Sequence, residues 1–579
     1  MNDRYKKFLE TFDQIDKKNF SEIEIGDFIR KNYSKEEINN DQKIYSENIA
    51  FEFSENNEST SRFYYGEKII FKDTDGNLIH YPTIKNLNKN IIEYWEKRTN
   101  EAENPILMWK YTGLILEFKK PLTKEKPVFD IFVKHINSAI EIANGNYDKY
   151  KLHTFEKLKR ALSLSISYKN DELINRIVNT IIEFEENNAI DDKAGLWGYA
   201  FEFLLNNDKV ELDSEKKNKI IQDMEERFTR LTNKESFNAW TAEKAGIILA
   251  EYYKKNNDKI NLSRIIECLC EAMESFSSKN NSTLFFEKTY SIYKNYGFNE
   301  KAEKSLIKLK ELSKEVPDTL QTFSANFEIS NEKIESLLKK LSEGSFGDVI
   351  KNNIIYFLPN KENTIKQLED LAKTAPLNYV MPMKLINENG VTIAKIGSLM
   401  EDQKGHIIYQ IYQNLLMISP LLTMSFENLI KNRIFTKEKV SNFLFLSPVF
   451  TKEQETFIKL SLENYFNENY IVFVSLIIPQ IEKALRNLVE KSGGNILKPN
   501  KSEGFDVRLF HDVINDEIVK KTFGENAILY FKVFYLDKRG LNLRNNVCHG
   551  LFTEYSLNKD IANRVLHTLL ILGSVRENK

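Results

Sequence analysis

The stretch Leu158-Lys-Arg-Ala-Leu-Ser-Leu-Ser-Ile-Ser-Tyr-Lys-Asn-Asp-Glu-Leu-Ile-Asn-Arg-Ile-Val-Asn-Thr-Ile-Ile182 decides the fold class. Apolar residues recur three and four apart, at Leu158, Ala161, Leu162 and Ile166 and again at Ile174, Ile177, Val178, Ile181 and Ile182. That spacing lines one face of a helix on each side of the polar break Tyr168-Lys-Asn-Asp171. Similar polar breaks follow at 205–208, 253–258 and 293–297. Their irregular spacing, about 37 to 50 residues, suits loosely stacked helix pairs better than a strict array. The expectation for 126–370 is therefore an irregular α-solenoid, which either presents a long surface to a partner or acts as a plain helical spacer.

On the N-terminal side, residues 1–125 mix short helical patterns with one hairpin signal. Lys68–Phe71 and Leu78–Tyr81 flank Asp73-Thr-Asp-Gly-Asn77, where Gly76 can take a positive φ. The Asp-x-Asp-Gly-Asn string lacks the late bidentate Glu of a calcium loop and reads as a turn. On the C-terminal side, Asn378–Met381 and Val391–Lys395 flank Asn387-Glu-Asn-Gly390, so a second hairpin, with Pro376 and Pro382, marks a boundary segment over 371–400. Beyond it, helices are expected at 401–418, 426–432, 452–466, 470–491, 507–522, 525–536, 541–550 and 559–575, with a mobile loop at Lys491–Gly504. The whole reads as a mostly α chain in four segments: 1–125, 126–370, 371–400 and a helical domain over 401–579.

Composition narrows the function classes. The chain has 579 residues, 82 Lys plus Arg and 84 Asp plus Glu, a net charge of −2, and is 41% hydrophobic and 12% aromatic. It should fold, and its surface as a whole is not dedicated to a polyanion. Residues 477–579 carry 16 Lys plus Arg against 12 Asp plus Glu, net +4, so the remainder is net −6. Three cysteines, Cys268, Cys270 and Cys548, make neither a disulfide framework nor a Cys-x-x-Cys zinc pair. A cytoplasmic protein is expected, with no membrane segment, because the longest largely apolar run, Ile471–Pro479, falls far short of a bilayer span.

The seven histidines form no His-x-x-x-His or His-Glu-x-x-His pair, and no P-loop, dinucleotide-binding turn or Gly-x-Ser-x-Gly elbow occurs. No metal or cofactor is expected. Attention falls on Leu541-Asn-Leu-Arg-Asn-Asn-Val-Cys-His-Gly-Leu551. Its Arg544, Asn545, His549 and Gly550 resemble the Arg-Asn-x-x-x-His-Gly signature of the domain of unknown function 4209 family and the Arg-x4-His motif of HEPN ribonucleases. The likeness extends to Leu476–Asn487 and to Leu536-Asp-Lys-Arg-Gly540, and covers roughly 400–579. It implies a C-terminal HEPN-like helical bundle acting as a metal-independent endoribonuclease. Arg544 would hold the scissile phosphate, His549 would move protons and Asn545 would support the geometry, in a cleft between two copies of the domain. It further implies a homodimer and, from family habit, a toxin or abortive-infection role in anti-phage defence. A protein trigger would then act on the helical repeats.

The residue types suit that chemistry. RNA supplies its own nucleophile, the 2′-hydroxyl; histidine transfers protons near neutral pH, and the guanidinium fork matches phosphate oxygens. The product would be a 2′,3′-cyclic phosphate. On one helix, however, Arg544 and His549 point about 140° apart, so the arginine leans round the helix or a second subunit completes the site. Lys538 and Arg539, just before the motif, are candidate RNA contacts. Glu482 could orient the catalytic pair or cap an arginine across the bundle, and the alternative is a structural ion pair with Arg486 four residues on. Cys548 reads as a small core residue, His511 and His567 as packing or surface residues, and Trp197 and Trp240 as core anchors. The competing reading is a non-catalytic dimerisation and scaffold domain, with His549 at a helix C-terminus and Gly550 as the residue that ends it.

Overall fold

The computed structural model describes residues 6–7, 9–10, 21–55, 63–66, 69–72, 78–233, 237–279, 283–321, 328–553 and 555–577. The described chain is mostly helical, with four two-stranded antiparallel sheets, and divides into two compact units, Met1–Leu309 and Lys310–Lys579. The division falls well before the expected 371–400 boundary. Helices before that segment belong to the second unit, and residues 1–125 share a core with the helices that follow them.

The first unit holds helices α1 (Glu22–Asn32), α2 (Lys35–Asn40), α3 (Gln42–Glu52), α4 (Lys89–Glu101), α5 (Pro105–Thr123), α6 (Phe129–Gly145), α7 (Lys151–Ser167), α8 (Asp171–Asn188), α9 (Ser214–Leu231), α10 (Ala239–Lys255), α11 (Lys259–Lys279) and α12 (Leu284–Asn295). The unit division falls inside α13 (Asn299–Ser313). From α4 to α8 and again from α9 to α12 each helix packs on its successor. The polar breaks act as capped turns. Lys169 (φ 53°) leads to the Asn170 cap of α8, Asn257 (φ 56°) separates α10 from α11, and Gly297 (φ 87°) separates α12 from α13.

Strands β1 (Ser54–Glu55) and β2 (Tyr65–Gly66) pair, as do β3 (Ile69–Lys72) and β4 (Leu78–Tyr81), the first expected hairpin. Its turn, with Gly76, and Lys68 lie outside the described residues. A buried ionic brace that sequence reading missed ties β1 to α1, α5, α7 and the connection before α7. The Lys157 ammonium lies 3.0 Å from Glu22, 3.4 Å from Glu55 and 3.7 Å from Asp148, and Lys110 donates to Glu22 at 2.7 Å. Burial pushes the Glu55 carboxyl up against the pull of Lys157, whereas Glu22 is held low by its two lysines despite its burial. Trp197 is buried as expected. Trp240 is not a core anchor: it is 60% exposed at the start of α10, with the Lys288 ammonium 4.0 Å over its ring.

The second unit contains α14 (Asn331–Ser342), α15 (Phe346–Phe357), α16 (Lys361–Thr374), α17 (Gln403–Lys431), α18 (Lys437–Phe445), α19 (Glu455–Phe466), α20 (Tyr470–Lys491), α21 (Phe510–Ile514), α22 (Glu517–Phe531), α23 (Leu543–Cys548) and α24 (Lys559–Gly573). Its axis is α24, buried from Ala562 to Gly573 and packed on α15, α17, α18 and α20. The Arg564 guanidinium is sealed inside, donating to Ser419 Oγ at 3.2 Å and to the carbonyls of Phe357 and Leu415 at 3.1 and 3.0 Å. The Phe357 carbonyl ends α15, where a cation complements the helix dipole.

Several expected elements change, among them the 507–522 helix, which is split into α21 and the first part of α22, itself broken at Gly524 (φ 74°, ψ 170°). Residues 401–418 and 426–432 belong to one helix, α17. Its buried face, Ile408, Ile411, Leu415, Ser419, Leu422, Phe426 and Leu429, keeps helical spacing past Pro420, which faces solvent. In the boundary segment, Leu377–Val380 forms a helical turn. The pairing strands are β5 (Met383–Ile386) and β6 (Thr392–Ile396), because Pro382 forces Met381 into extended backbone and the strand starts after it. The segment expected to be a mobile loop holds a third kind of feature, the hairpin β7 (Leu497–Pro499) and β8 (Phe505–Val507).

Candidate functional site

The motif is set up by a tight backbone approach. A helical turn over Lys532–Leu536 ends at Asp537, whose carbonyl accepts from Gly540 N at 2.9 Å, and Leu541 N donates back to the Val533 carbonyl at 2.9 Å. A Cβ at Gly540 would lie 2.1 Å from the Val533 carbonyl oxygen, so only glycine fits. The chain then enters α23 through Asn542, at φ 53°, with Leu543 buried as the anchor of the short helix. The expected helix 541–550 is shorter at both ends. His549 is its C-cap, and Gly550 (φ 66°) follows as C-prime. Leu551 N donates to the Asn546 carbonyl at 2.7 Å and Gly550 N to Val547 at 3.3 Å, the paired bonds of a Schellman ending.

Arg544 faces α20. Its Nε donates to Glu482 Oε2 at 3.2 Å, its Nη2 lies 3.2 Å from the same oxygen as an ion pair, and its Nη1 donates to Asn545 Oδ1 at 3.3 Å. Asn545 Nδ2 in turn donates to Asn542 Oδ1 at 2.7 Å, which fixes the amide so that its oxygen faces the guanidinium. Glu482 is only 6% exposed, and its other oxygen accepts from Arg486 Nη2. Glu482 thus pairs with Arg486 on its own helix, as expected, and also caps Arg544 across the bundle. Two guanidinium groups share one carboxylate, leaving an excess positive charge at a partly exposed edge, as an anion site requires. Arg486 Nε also donates to the Arg508 carbonyl at 3.1 Å, tying this network to the base of the β7–β8 hairpin.

The other singled-out residues lie apart from this network. His549 is exposed at the helix end; among the described residues its ring makes no hydrogen bond or ion pair, and none joins it to Arg544. Lys538 is exposed and holds no ion pair among the described residues. Arg539 is not a free phosphate contact. Its Nε and Nη2 donate to Asp537 at 2.9 Å and its Nη1 lies 3.3 Å from Asp402, the N-cap of α17, so it fastens the approach to the motif. Cys548 is exposed rather than a core residue. His511 is an exposed surface residue. His567 is fully buried, 3.3 Å from Tyr530 Oη, and burial pushes its pKa down to about 3.

Among the described residues no helix is long and apolar enough to cross a membrane, and no three His, Cys, Asp or Glu side chains gather as a metal site needs. No family model, curated protein or solved structure matches the chain.

Proposed function

We propose that the second unit is an endoribonuclease that cleaves RNA through its own 2′-hydroxyl without a metal. The observation that carries this reading is the Arg544 guanidinium, held between Glu482 and Asn545 beside Arg486, with the free imidazole of His549 five residues on. Arg544 would bind the non-bridging oxygens of the scissile phosphate and offset the charge that grows on them as the phosphorane forms. His549 would accept the 2′-hydroxyl proton. The 2′-oxygen bonds to phosphorus, the P–O5′ bond breaks with its electron pair leaving on the 5′-oxygen, and that oxygen takes up a proton from water. The products are a 2′,3′-cyclic phosphate and a 5′-hydroxyl. Because Arg544 points to α20 and no hydrogen bond joins the exposed His549 to it among the described residues, the reading calls for a homodimer in which one copy's histidine meets the other's arginine. A cytoplasmic toxin of anti-phage defence, triggered through the helical repeats, is the biological setting this reading favours.

The scaffold reading keeps one specific observation: Gly550 and His549 are fully accounted for by the Schellman ending. Purified chain incubated with RNA in EDTA separates the two. Under the nuclease reading cleavage appears, leaves cyclic phosphate ends and falls at least 100-fold in both His549→Ala and Arg544→Ala. His549→Ala should keep the wild-type melting curve, because its ring is exposed and makes no hydrogen bond or ion pair among the described residues. Cleavage unchanged in both variants would sink the assignment, and a wild type inert to RNA would favour the scaffold.

A further inference from the structure

The second unit holds a cleft of about 760 Å³ whose walls come from the connection after α18, the last turn of α20, α22 and the tail that follows α24. Buried Val449 and Leu488 form its floor, with Phe523 beside them. Phe523 stands just before Gly524, where the backbone leaves helical geometry, and the Phe531 ring meets it edge-on with centroids 5.6 Å apart. Three cations line the same cleft, Lys491 from α20, Lys521 from α22 and Arg576 from the tail, against one carboxylate, Glu577. Arg576 is fixed in place: its Nη1 donates to the Gly573 and Val575 carbonyls, and its guanidinium lies 5.1 Å over the Phe443 ring. The carbonyls at the end of α24 take up part of its charge. Lys491 and Lys521 are exposed and make no hydrogen bond or ion pair among the described residues. Lys491 also lies nine residues beyond Glu482 on α20, which places it about 180° round the helix and about 13 Å further along. The cleft is therefore a place of its own, apart from the arginine network.

We propose that this cleft binds a free nucleotide carrying two or three phosphates, its base over Phe523 and the apolar floor and its phosphates among Lys491, Lys521 and Arg576. The volume suits a small molecule of that size, since such sites run from about 300 to about 1,000 Å³. An apolar floor beneath a cationic rim matches a ligand with one flat, weakly polar end and one strongly anionic end. An aromatic platform stacks any base, so recognition falls on the phosphates rather than on base identity. Three cations against one carboxylate leave an unmatched positive charge, which a ligand with several negative charges offsets better than one with a single charge. A nucleic-acid strand draws on cations strung along a groove that tracks its backbone, whereas these three converge on one cleft from separate segments. The bound nucleotide would tie the end of α20 to α22 and to the tail after α24. Because it lies across α20 from Arg544, the site does not rest on the nuclease reading.

Isothermal titration of the full chain with ATP and with UTP, in EDTA, tests the site. Each should bind with a Kd between about 1 μM and about 1 mM, and each should raise the melting temperature. Lys491→Glu and Lys521→Glu, whose side chains hold no partner, should keep the unliganded melting curve and each weaken both nucleotides about tenfold. Lys501→Glu, on the turn of the β7–β8 hairpin, should bind as the wild type does. Phe523→Leu keeps an apolar contact with Phe531 but loses the ring, so it should weaken ATP and UTP and leave inorganic tripolyphosphate unaffected. A wild type that shows neither heat nor a melting shift at about 1 mM ATP or UTP overturns the proposal. So does binding indifferent to both lysine reversals, or tripolyphosphate bound as tightly as ATP. A 2′-O-methyl RNA of about ten nucleotides that binds through the same lysines more tightly than ATP assigns the cleft to a strand and overturns it as well. Arg544→Ala should bind ATP unchanged, and a chain that binds ATP without cleaving RNA upholds the cleft while counting against the nuclease.

Discussion

At the scale of single residues, Glu482 is the side chain on which the candidate site turns. One buried carboxylate is shared by two arginines, so Glu482→Gln leaves both guanidinium groups facing a neutral amide. A loss of about 2 kcal/mol is expected, less than for a fully buried pair because both arginines reach solvent. Urea unfolding of the variant checks the loss, and RNA cleavage in the same preparation should fall as Arg544 loses its orientation. Much of this site was legible in the sequence, because Arg544, Asn545 and His549 lie on one short motif. What was hidden came from far along the chain. Arg544 meets a carboxylate 62 residues away, and Arg539 meets Asp402 across 137 residues, which turned an expected RNA contact into a structural tie. Cys548 was misread for a local reason. Leu543 and Val547, four apart, take the inward face of a six-residue helix, and the next position rotates about 100° away from it.

Among the elements, the ending of α23 is the most exposed to a single change. Gly550 sits at φ 66° with nothing within 4 Å of where a Cβ would stand, so Gly550→Ala meets no clash and feels only the cost of left-handed backbone. A destabilisation of about 1 kcal/mol is expected by urea denaturation. Helix existence was legible wherever apolar spacing ran unbroken, as in α20, expected and found at 470–491. Breaks were harder to read. A gap was expected between 418 and 426, but the continuous buried face of α17 runs through it and outweighs the hydrogen bond lost at Pro420. The Gly- and Asn-rich segment after α20 suggested mobility because its apolar residues alternate over only three positions per strand, too few to stand out from a loop.

For the whole molecule, acid should weaken both units through one buried histidine each. His135, stacked on Trp109 in the first unit, and His567 in the second are both held by burial at a pKa of about 3, against about 6.5 in an unfolded chain. Between those values the unfolded chain binds the extra proton. The stabilisation is therefore complete above about pH 6.5 and fades as pH falls toward 3, at about 1.4 kcal/mol per pH unit for each histidine. Denaturant titrations between pH 7 and pH 4 check the slope, and His567→Gln should flatten it for the second unit alone. The mostly helical class was legible from periodicity, but the unit division was not, since helices α14–α16 read like their predecessors and only their packing partners assign them elsewhere. That packing has a kinetic side. The first unit assembles mainly from neighbours in sequence, whereas α24 closes the second by meeting α15, with Arg564 reaching a carbonyl 207 residues earlier. Loop-closure entropy makes such contacts slow to form. The arginine network therefore lies in the unit whose closing contacts span the longest loops, and stopped-flow refolding should find the second unit slower to acquire its structure than the first.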